Sequence, residues 1–132
     1  MPQAVADELR QGHLKGINVP SIDALAWAAV QQSVSRVDLQ RVPANLDAGE
    51  REAIALALGK TDPLLIVDDA AARTHAKTLG IPVTGTLGVL VKAKQVGLIA
   101  AIRPCLDLLD RAGFYVKADV RARILSLAGE IP

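Results

Sequence analysis

The sequence has 132 residues, of which 51% are apolar, so it can bury a sizeable core and is not typical of a disordered chain. Its 15 Lys and Arg nearly balance 14 Asp and Glu, giving a net charge of +1, whereas a chain that binds nucleic acid mainly by charge is far more basic. One Trp, one Tyr and one Phe are too few for single-strand binding by rows of stacked bases.

Two further features restrict the class of protein. Cys105 is the only cysteine, which excludes an internal disulfide and any metal site built from several thiolates. The longest apolar runs are much shorter than the roughly 20 residues of a membrane helix, and the first residues do not form a basic-then-apolar secretion signal. We therefore expect a cytoplasmic protein without membrane contact.

The first part of the chain predicts two helices and one edge strand. Residues 2–10 have helical apolar spacing and stop before Gly12, and Ser21 is placed to begin a second helix that extends to about residue 30. Trp27 is assigned to the core. Residues 34–42 show an imperfect apolar alternation that predicts an edge strand.

From Asp47 onward, helical and strand patterns alternate. The predicted elements, in order, are a helix from Asp47, a strand at 64–67, a helix at 70–79, a strand at 81–84, a helix from about Thr86, a helix around 102–109, a short strand at 114–116 and a helix around 120–127. Such alternation favours an α/β fold with three layers, in which a mostly parallel sheet is flanked by helices. A ligand site is expected at the carboxyl ends of the strands.

Paired carboxylates follow the most apolar predicted strand. Asp68 and Asp69 come directly after residues 64–67, where their oxygens would suit a hard cation such as Mg²⁺ or Mn²⁺. The competing interpretation is that Asp69 caps the next helix, which is the commoner role of a single Asp at such a position. Only convergence with other acidic residues would favour the cation.

The helix after Asp47 offers two more carboxylates. At about 100° per residue, Glu50 lies about 40° from Ile54 on the inner face, whereas Glu52 points to the far side. Asp47 and Glu50 also have the spacing of a capping box, in which Glu50 would only close back onto the start of the helix. Both interpretations of Glu50 stay open at this stage.

Glu8 is the acidic candidate of the first predicted helix. It borders the apolar stripe formed by Val5 and Leu9, while Asp7 points away from that stripe. Glu8 is therefore expected at the edge of a cleft, with a solvated helix flank as the alternative.

Three blocks of the chain, in this order, resemble a PIN-like subfamily whose function is largely uncharacterised. The blocks are residues 46–57, 64–69 and 80–90, and the likeness extends to residues 1–9 and 112–114. The resemblance covers nearly the whole chain and implies one PIN-like domain over residues 1–132. It also implies kinship with the toxin ribonucleases of toxin–antitoxin systems.

The resemblance implies a chemistry as well. PIN nucleases gather three or four carboxylates around one or two divalent ions, which position water for attack on an RNA phosphodiester. The residues that match are Glu8, then Glu50 or Glu52, and Asp69 with Asp68 beside it. The implied catalytic residues are thus Glu8, Glu50 and Asp69, the implied ion is Mg²⁺ or Mn²⁺, and the implied partners are RNA and an antitoxin protein.

Members of that family begin with an apolar strand that ends in Asp, and this sequence is predicted to begin after it. We therefore expect an N-terminally truncated version of the fold, completed by association into a homo-oligomer that covers the exposed strand edges. Two other functions remain open from the sequence: a catalytically inactive binding or assembly module, and an α/β scaffold with no role in nucleic-acid chemistry.

Overall fold

The computed structural model describes residues 1–131. They divide into a first compact unit, Met1–Val83, and a second unit that begins at Thr84. The described elements are α1 (Gln3–Leu14), a 3-10 helix (Ile22–Ala24), α2 (Arg36–Gln40), α3 (Ala48–Leu58), β1 (Leu65–Ile66), α4 (Ala70–Thr78), β2 (Val83–Thr84), α5 (Thr86–Gln95), α6 (Arg103–Arg111) and α7 (Ala118–Leu127). No helix within this part of the chain is both long and apolar enough to cross a membrane.

The sheet is small and parallel. β1 and β2 pair with each other, and the N–H of Leu65 donates to the carbonyl oxygen of Pro82 at 2.9 Å. Helix α4 connects the two strands, which is the usual way to join parallel neighbours. The α/β class is confirmed, with far more helix than strand.

Helix α3 lies against the core of the first unit. Its start is fixed by a capping box: Asp47 Oδ1 accepts the N–H of Glu50 at 2.9 Å, and Glu50 Oε2 accepts the N–H of Asp47 at 3.3 Å. Its middle buries Ile54 and Ala55, which pack in one cluster with Leu65 of β1 and Ala72 and Ala76 of α4. Helix α3 is therefore held at both its polar start and its apolar face.

Two predicted boundaries in the first unit are wrong. Helix α1 continues past Gly12 to Leu14, and the chain leaves it through Gly16, whose φ of +77° suits a residue without a side chain. The helix predicted after Ser21 is only the 3-10 turn Ile22–Ala24, and the Ser21 side chain makes no capping hydrogen bond there.

The predicted edge strand at 34–42 is also wrong, because this segment contains α2. Ser35 Oγ accepts the N–H of Asp38 at 3.4 Å and so begins a helix. Leu39 and Val42, three residues apart, then pack on the same core, which is helical spacing. Trp27, assigned to the core from its size, is 81% exposed, so that assignment is wrong too.

The second unit has its own core. Ile102, Leu106 and Leu125 are almost completely buried and pack together, with side chains of α5 around them. The three helices predicted here are confirmed, whereas residues 114–116 form no strand. Leu125 is the most buried side chain of α7, whereas Leu127 is 60% exposed.

Glu130 joins α7 to the start of α6. Its Oε1 accepts the N–H of Ile102 at 2.7 Å and a hydrogen bond from Lys94 Nζ at 2.9 Å, and its Oε2 accepts the N–H of Arg103 at 3.3 Å. Ile102 and Arg103 stand at the amino end of α6, where N–H groups lack partners within the helix. The Ile102 hydrogen bond, followed by that from Lys94, lowers the pKa of the Glu130 carboxyl group.

The lowered pKa predicts how stability depends on pH. The contribution of Glu130 is complete above its ordinary value of 4.5 and is lost as the pH falls through the lower folded value. We expect Glu130→Gln to lower the melting temperature at pH 7 and to have a smaller effect at pH 3, because the stability contributed by the ionised carboxylate declines as the pH falls below 4.5. Thermal unfolding at the two pH values measures this, with Asp119→Asn as the control, and an equal loss at both would contradict it.

Candidate functional site

The five acidic residues singled out from the sequence all lie in the first unit. Glu8 is on α1, Glu50 and Glu52 are on α3, and Asp68 and Asp69 form the turn from β1 to α4. Three separate segments therefore contribute carboxylates.

Glu50 has two kinds of neighbour. It closes the capping box of α3, as one interpretation of the sequence predicted. Burial raises the pKa of its carboxyl group, the hydrogen bond from the Asp47 N–H lowers it, and the negative charges of Asp47, Asp69 and Glu8 raise it again. The net pKa of Glu50 is raised, and the charges that contribute to the rise come from Glu8 and Asp69 as well as from its own capping partner.

Glu8 reaches α3 from α1. A Cβ atom built on Gly49 would lie 2.7 Å from Glu8 Oε1, so this carboxylate stands directly over the first turn of α3. Glu50 is the next residue in that turn. We call Glu8, Glu50 and Asp69 the acid cluster.

Asp69 caps α4, as the competing interpretation predicted. Its Oδ1 accepts the N–H of Ala72 at 2.8 Å, which uses one of its two oxygens. The acid cluster thus lies near the amino ends of both α3 and α4, whose partial positive charge offsets part of the repulsion between carboxylates. Asp68 precedes Asp69 and is exposed.

Glu52 has a contact that sequence reasoning missed. One of its carboxylate oxygens accepts the N–H of Ala4, in the first turn of α1, at 3.0 Å. The far side of α3, to which Glu52 was assigned, is therefore where α1 begins, and Glu52 helps pack the two helices. Helical periodicity predicts on which face of α3 Glu52 lies, but it does not predict which other element packs against that face.

The acid cluster has the type of ligand atom that a divalent cation prefers, but its side chains are not spaced to bind one. Its carboxylate oxygens are the donors that Mg²⁺ and Mn²⁺ prefer, and the pKa of Glu50 is raised first by burial and then by the negative charges of Asp47, Asp69 and Glu8. Within residues 1–131, however, no three His, Cys, Asp or Glu side chains are close enough together to hold one metal ion. A ligand set would require these side chains to move closer to each other.

Comparison with known families decides what kind of domain this is. The family model described as PIN domain matches residues 1–130. The chain belongs to the PIN-domain family. Searches of curated proteins and of solved structures give no significant match.

Membership confirms the resemblance found in the sequence blocks. A PIN domain is a nuclease-type fold, and PIN domains in general act on RNA or other nucleic acid with divalent metals. In this PIN domain the acidic residues that matched the family from sequence come from α1, α3 and the β1–α4 turn.

Proposed function

We propose that this PIN domain is a metal-dependent endoribonuclease of the toxin type, with Glu8, Glu50 and Asp69 as its catalytic carboxylates. The observation that carries the proposal is that the Glu8 carboxylate lies over the first turn of α3, which contains Glu50, while Asp69, 61 residues further along the chain, adds negative charge beside Glu50. The capping roles of Glu50 and Asp69 do not by themselves require Glu8 to lie near Glu50. A cation site needs carboxylates from separate segments of the chain to lie near one another. An acidic residue on a solvated helix flank has no such requirement.

Charge gives the physical reason to bind a cation. The ionised form of Glu50 is disfavoured by burial and by its acidic neighbours, so a divalent ion would relieve this cost. Glu8 and Glu50 each have three rotatable side-chain bonds, so rotation of the side chains is one way for their carboxylates to approach a common ion. When bound, such an ion polarises the phosphate and lowers the pKa of water. The residues of the chain would hold the ion, with Asp68 beside Asp69 as a further donor.

The test is RNA cleavage by the purified chain with Mn²⁺, with Mg²⁺ and with EDTA. We expect cleavage with either ion and none with EDTA. Glu50→Gln should lower the rate at least about tenfold, because an amide keeps the shape of the capping box but loses the charge. Asp62→Asn is a matched control in the same unit, since Asp62 has a φ of +52° that Asn also tolerates.

Two outcomes would contradict the proposal. Cleavage that persists at full rate in EDTA would exclude the metal, and a Glu50→Gln variant as active as the unaltered chain would exclude the acid cluster. Melting temperatures of both variants, measured beside the rates, separate loss of chemistry from loss of fold.

A second function is favoured by the spacing of the carboxylates. Because the described residues contain no assembled group of three metal ligands, and because Glu50 and Asp69 both cap helices, the chain would also suit a PIN-like module that binds without cleaving. RNA binding that weakens as salt rises, without cleavage in Mn²⁺, would support this module over the nuclease.

Two protein partners belong to the proposal. A toxin-type ribonuclease would be inhibited by an antitoxin protein that covers the acid cluster. The homo-oligomer predicted from the sequence stays a prediction, and light scattering that finds only single chains would contradict it.

A further inference from the structure

Helix α6 ends at a tight turn that begins its connection to α7. The N–H of Gly113 donates to the carbonyl oxygen of Asp110 at 3.1 Å, and the N–H of Phe114 donates to that of Leu109 at 2.9 Å. Gly113 has a φ of +87°, which a residue without a side chain adopts easily. The chain therefore stays close to the last turn of α6 as it leaves the helix.

Tyr115 points to solvent from this connection. Phe114 is half-buried and Val116 is 7% exposed, whereas Tyr115 between them is 81% exposed. Lys117 is exposed as well, and because it follows two residues later, its Cα lies at most about 7 Å from that of Tyr115. Arg111, in the last turn of α6, is also exposed. We call Arg111, Tyr115 and Lys117 the α6–α7 tip.

The second unit is basic, although the chain as a whole is nearly neutral. Residues 84–132 contain seven Lys and Arg and four Asp and Glu, whereas residues 1–83 contain eight and ten. Three of these four acidic side chains already form ion pairs: Glu130 with Lys94, and Asp107 and Asp110 with Arg121. Arg111 and Lys117 form no ion pair with the residues that the structure describes. The positive charge of the α6–α7 tip is therefore not neutralised locally.

Helix stability does not explain the charge of Lys117. Lys117 is the N-cap residue of α7, and its side chain makes no capping hydrogen bond. An ammonium group has no oxygen to accept an N–H, and positive charge is disfavoured at the positive end of a helix dipole. The charge is therefore available to an anion outside the helix.

Ion pairs hold the two sides of the tip together. Arg121 of α7 donates to Asp110 Oδ2 at 3.0 Å and to Asp107 Oδ1, and both carboxylates belong to α6. Leu106 of α6 and Leu125 of α7 pack in one core. A ligand at the tip would meet side chains on an ordered backbone, which reduces the entropy lost on binding.

We propose that the α6–α7 tip binds single-stranded RNA, with a base stacked on the Tyr115 ring and phosphates beside Arg111 and Lys117. Every base has an aromatic face, so an exposed ring between cationic side chains suits a single strand of any sequence. In a double helix the bases are stacked on one another and offer no free face to the ring. The inference rests on the proposed function only for the choice of RNA as ligand, since the acid cluster has no part in it.

Trp27 provides the matched control for Tyr115. It is exposed to the same 81%, but residues 16–35, which contain it, have no Lys or Arg and one acidic residue, Asp23. Trp27 therefore offers a ring without nearby cations for phosphate. We expect Trp27→Ala to leave RNA binding unchanged.

Binding of labelled poly(U) to the full chain in EDTA, followed by fluorescence anisotropy, tests the tip without cleavage. Tyr115→Ala should weaken binding about 5- to 150-fold, as removal of a stacking aromatic does, whereas Tyr115→Phe should bind as the unaltered chain does. Because Tyr115 is exposed, its truncation should not change the melting temperature. Equal affinity of Tyr115→Ala and the unaltered chain would overturn the inference.

Arg111→Ala and Lys117→Ala test the phosphate contacts. Each should weaken binding and reduce the slope of log affinity against log salt by about 0.7, the loss of one contact to a single strand, whereas Tyr115→Ala should leave the slope unaltered. Arg123→Ala is the matched control, because Arg123 is also exposed on α7 but stands four residues after Asp119, a favourable neighbour on the helix. Salt slopes that none of the tip variants changes would contradict the phosphate contacts.

Two other anionic ligands show whether the ring matters. Duplex RNA or phosphatidylserine vesicles bound as tightly as poly(U) would mean that only charge is recognised, and would overturn the inference, as would a chain that binds no poly(U) in EDTA. Binding that depends on the tip, without cleavage in Mn²⁺, would contradict the proposed function alone. Cleavage in Mn²⁺ with unaltered poly(U) binding by the tip variants would contradict this inference alone.

Discussion

Asp69→Asn is expected to lower metal-dependent RNA cleavage at least about 100-fold while leaving α4 in place. Asp69 Oδ1 caps α4 by accepting the N–H of Ala72 at 2.8 Å, and the side-chain oxygen of asparagine can accept the same bond. What asparagine removes is the negative charge that Asp69 adds beside Glu50. The initial rate of cleavage of a labelled RNA in Mn²⁺, with the melting temperature, measures both effects.

Asp69→Ala separates the two roles of this side chain. It should lose activity to the same extent and, in addition, about 1 kcal/mol of stability, because alanine cannot cap the helix. Asp62→Asn again serves as the control for an acid-to-amide change in the same unit. If Asp69→Asn cleaves RNA at the unaltered rate, Asp69 is only a cap and the nuclease site must lie elsewhere.

Two helices that begin with a local cap, α3 and α4, were predictable from the sequence. The Asp47 and Glu50 spacing predicts a capping box, and both of its hydrogen bonds form. The continuous apolar run before Asp68 likewise predicts β1, because a buried parallel strand needs such a run. These patterns succeed because the interactions that define them are separated by only a few residues.

Elements that depend on the rest of the fold were not predictable in this way. The alternation at 34–42 suggested a strand, yet Ser35 caps a helix there and the apolar residues meet the core with helical spacing. Trp27 was assigned to the core because it is large and apolar, and it is exposed. Whether such a side chain is buried depends on which element packs over it, and periodicity does not supply that information.

In the candidate site, too, local features were predictable from the sequence and contacts between distant segments were not. The assignment of Glu8, Glu50 and Asp69 to a functional site stays a prediction from the sequence. The capping roles of Glu50 and Asp69 were predicted and are confirmed, since both follow from local spacing. Sequence reasoning could not find that Glu8 stands over Gly49 or that Glu52 accepts the N–H of Ala4, because α1 and α3 are joined by a long segment of chain. Glycine usually weakens a helix, and the space that Gly49 leaves for the Glu8 carboxylate is visible only with α1 in place.

Helix α3 connects the core to the acid cluster, so a core substitution in it should have the largest effect on stability. Ile54 is 0% exposed and packs in the cluster that includes Leu65 and Ala72. We expect Ile54→Ala to lower the free energy of unfolding by about 2–5 kcal/mol, from lost apolar burial and the cavity left behind, and Ile54→Val by only about 0.5–1.5 kcal/mol. Hydrogen exchange of the α3 amides, with urea unfolding, measures the loss in the first unit.

Val37→Ala is the matched control for that substitution. Val37 is on α2 in the same unit but is 68% exposed, so its truncation should change stability by no more than about 0.5 kcal/mol. Similar losses for Ile54→Ala and Val37→Ala would contradict the packing of α3. Because Glu50 lies one turn before Ile54 on this helix, faster exchange of the α3 amides in Ile54→Ala should be accompanied by weaker Mn²⁺ binding, and this would connect burial in the core to the geometry of the acid cluster.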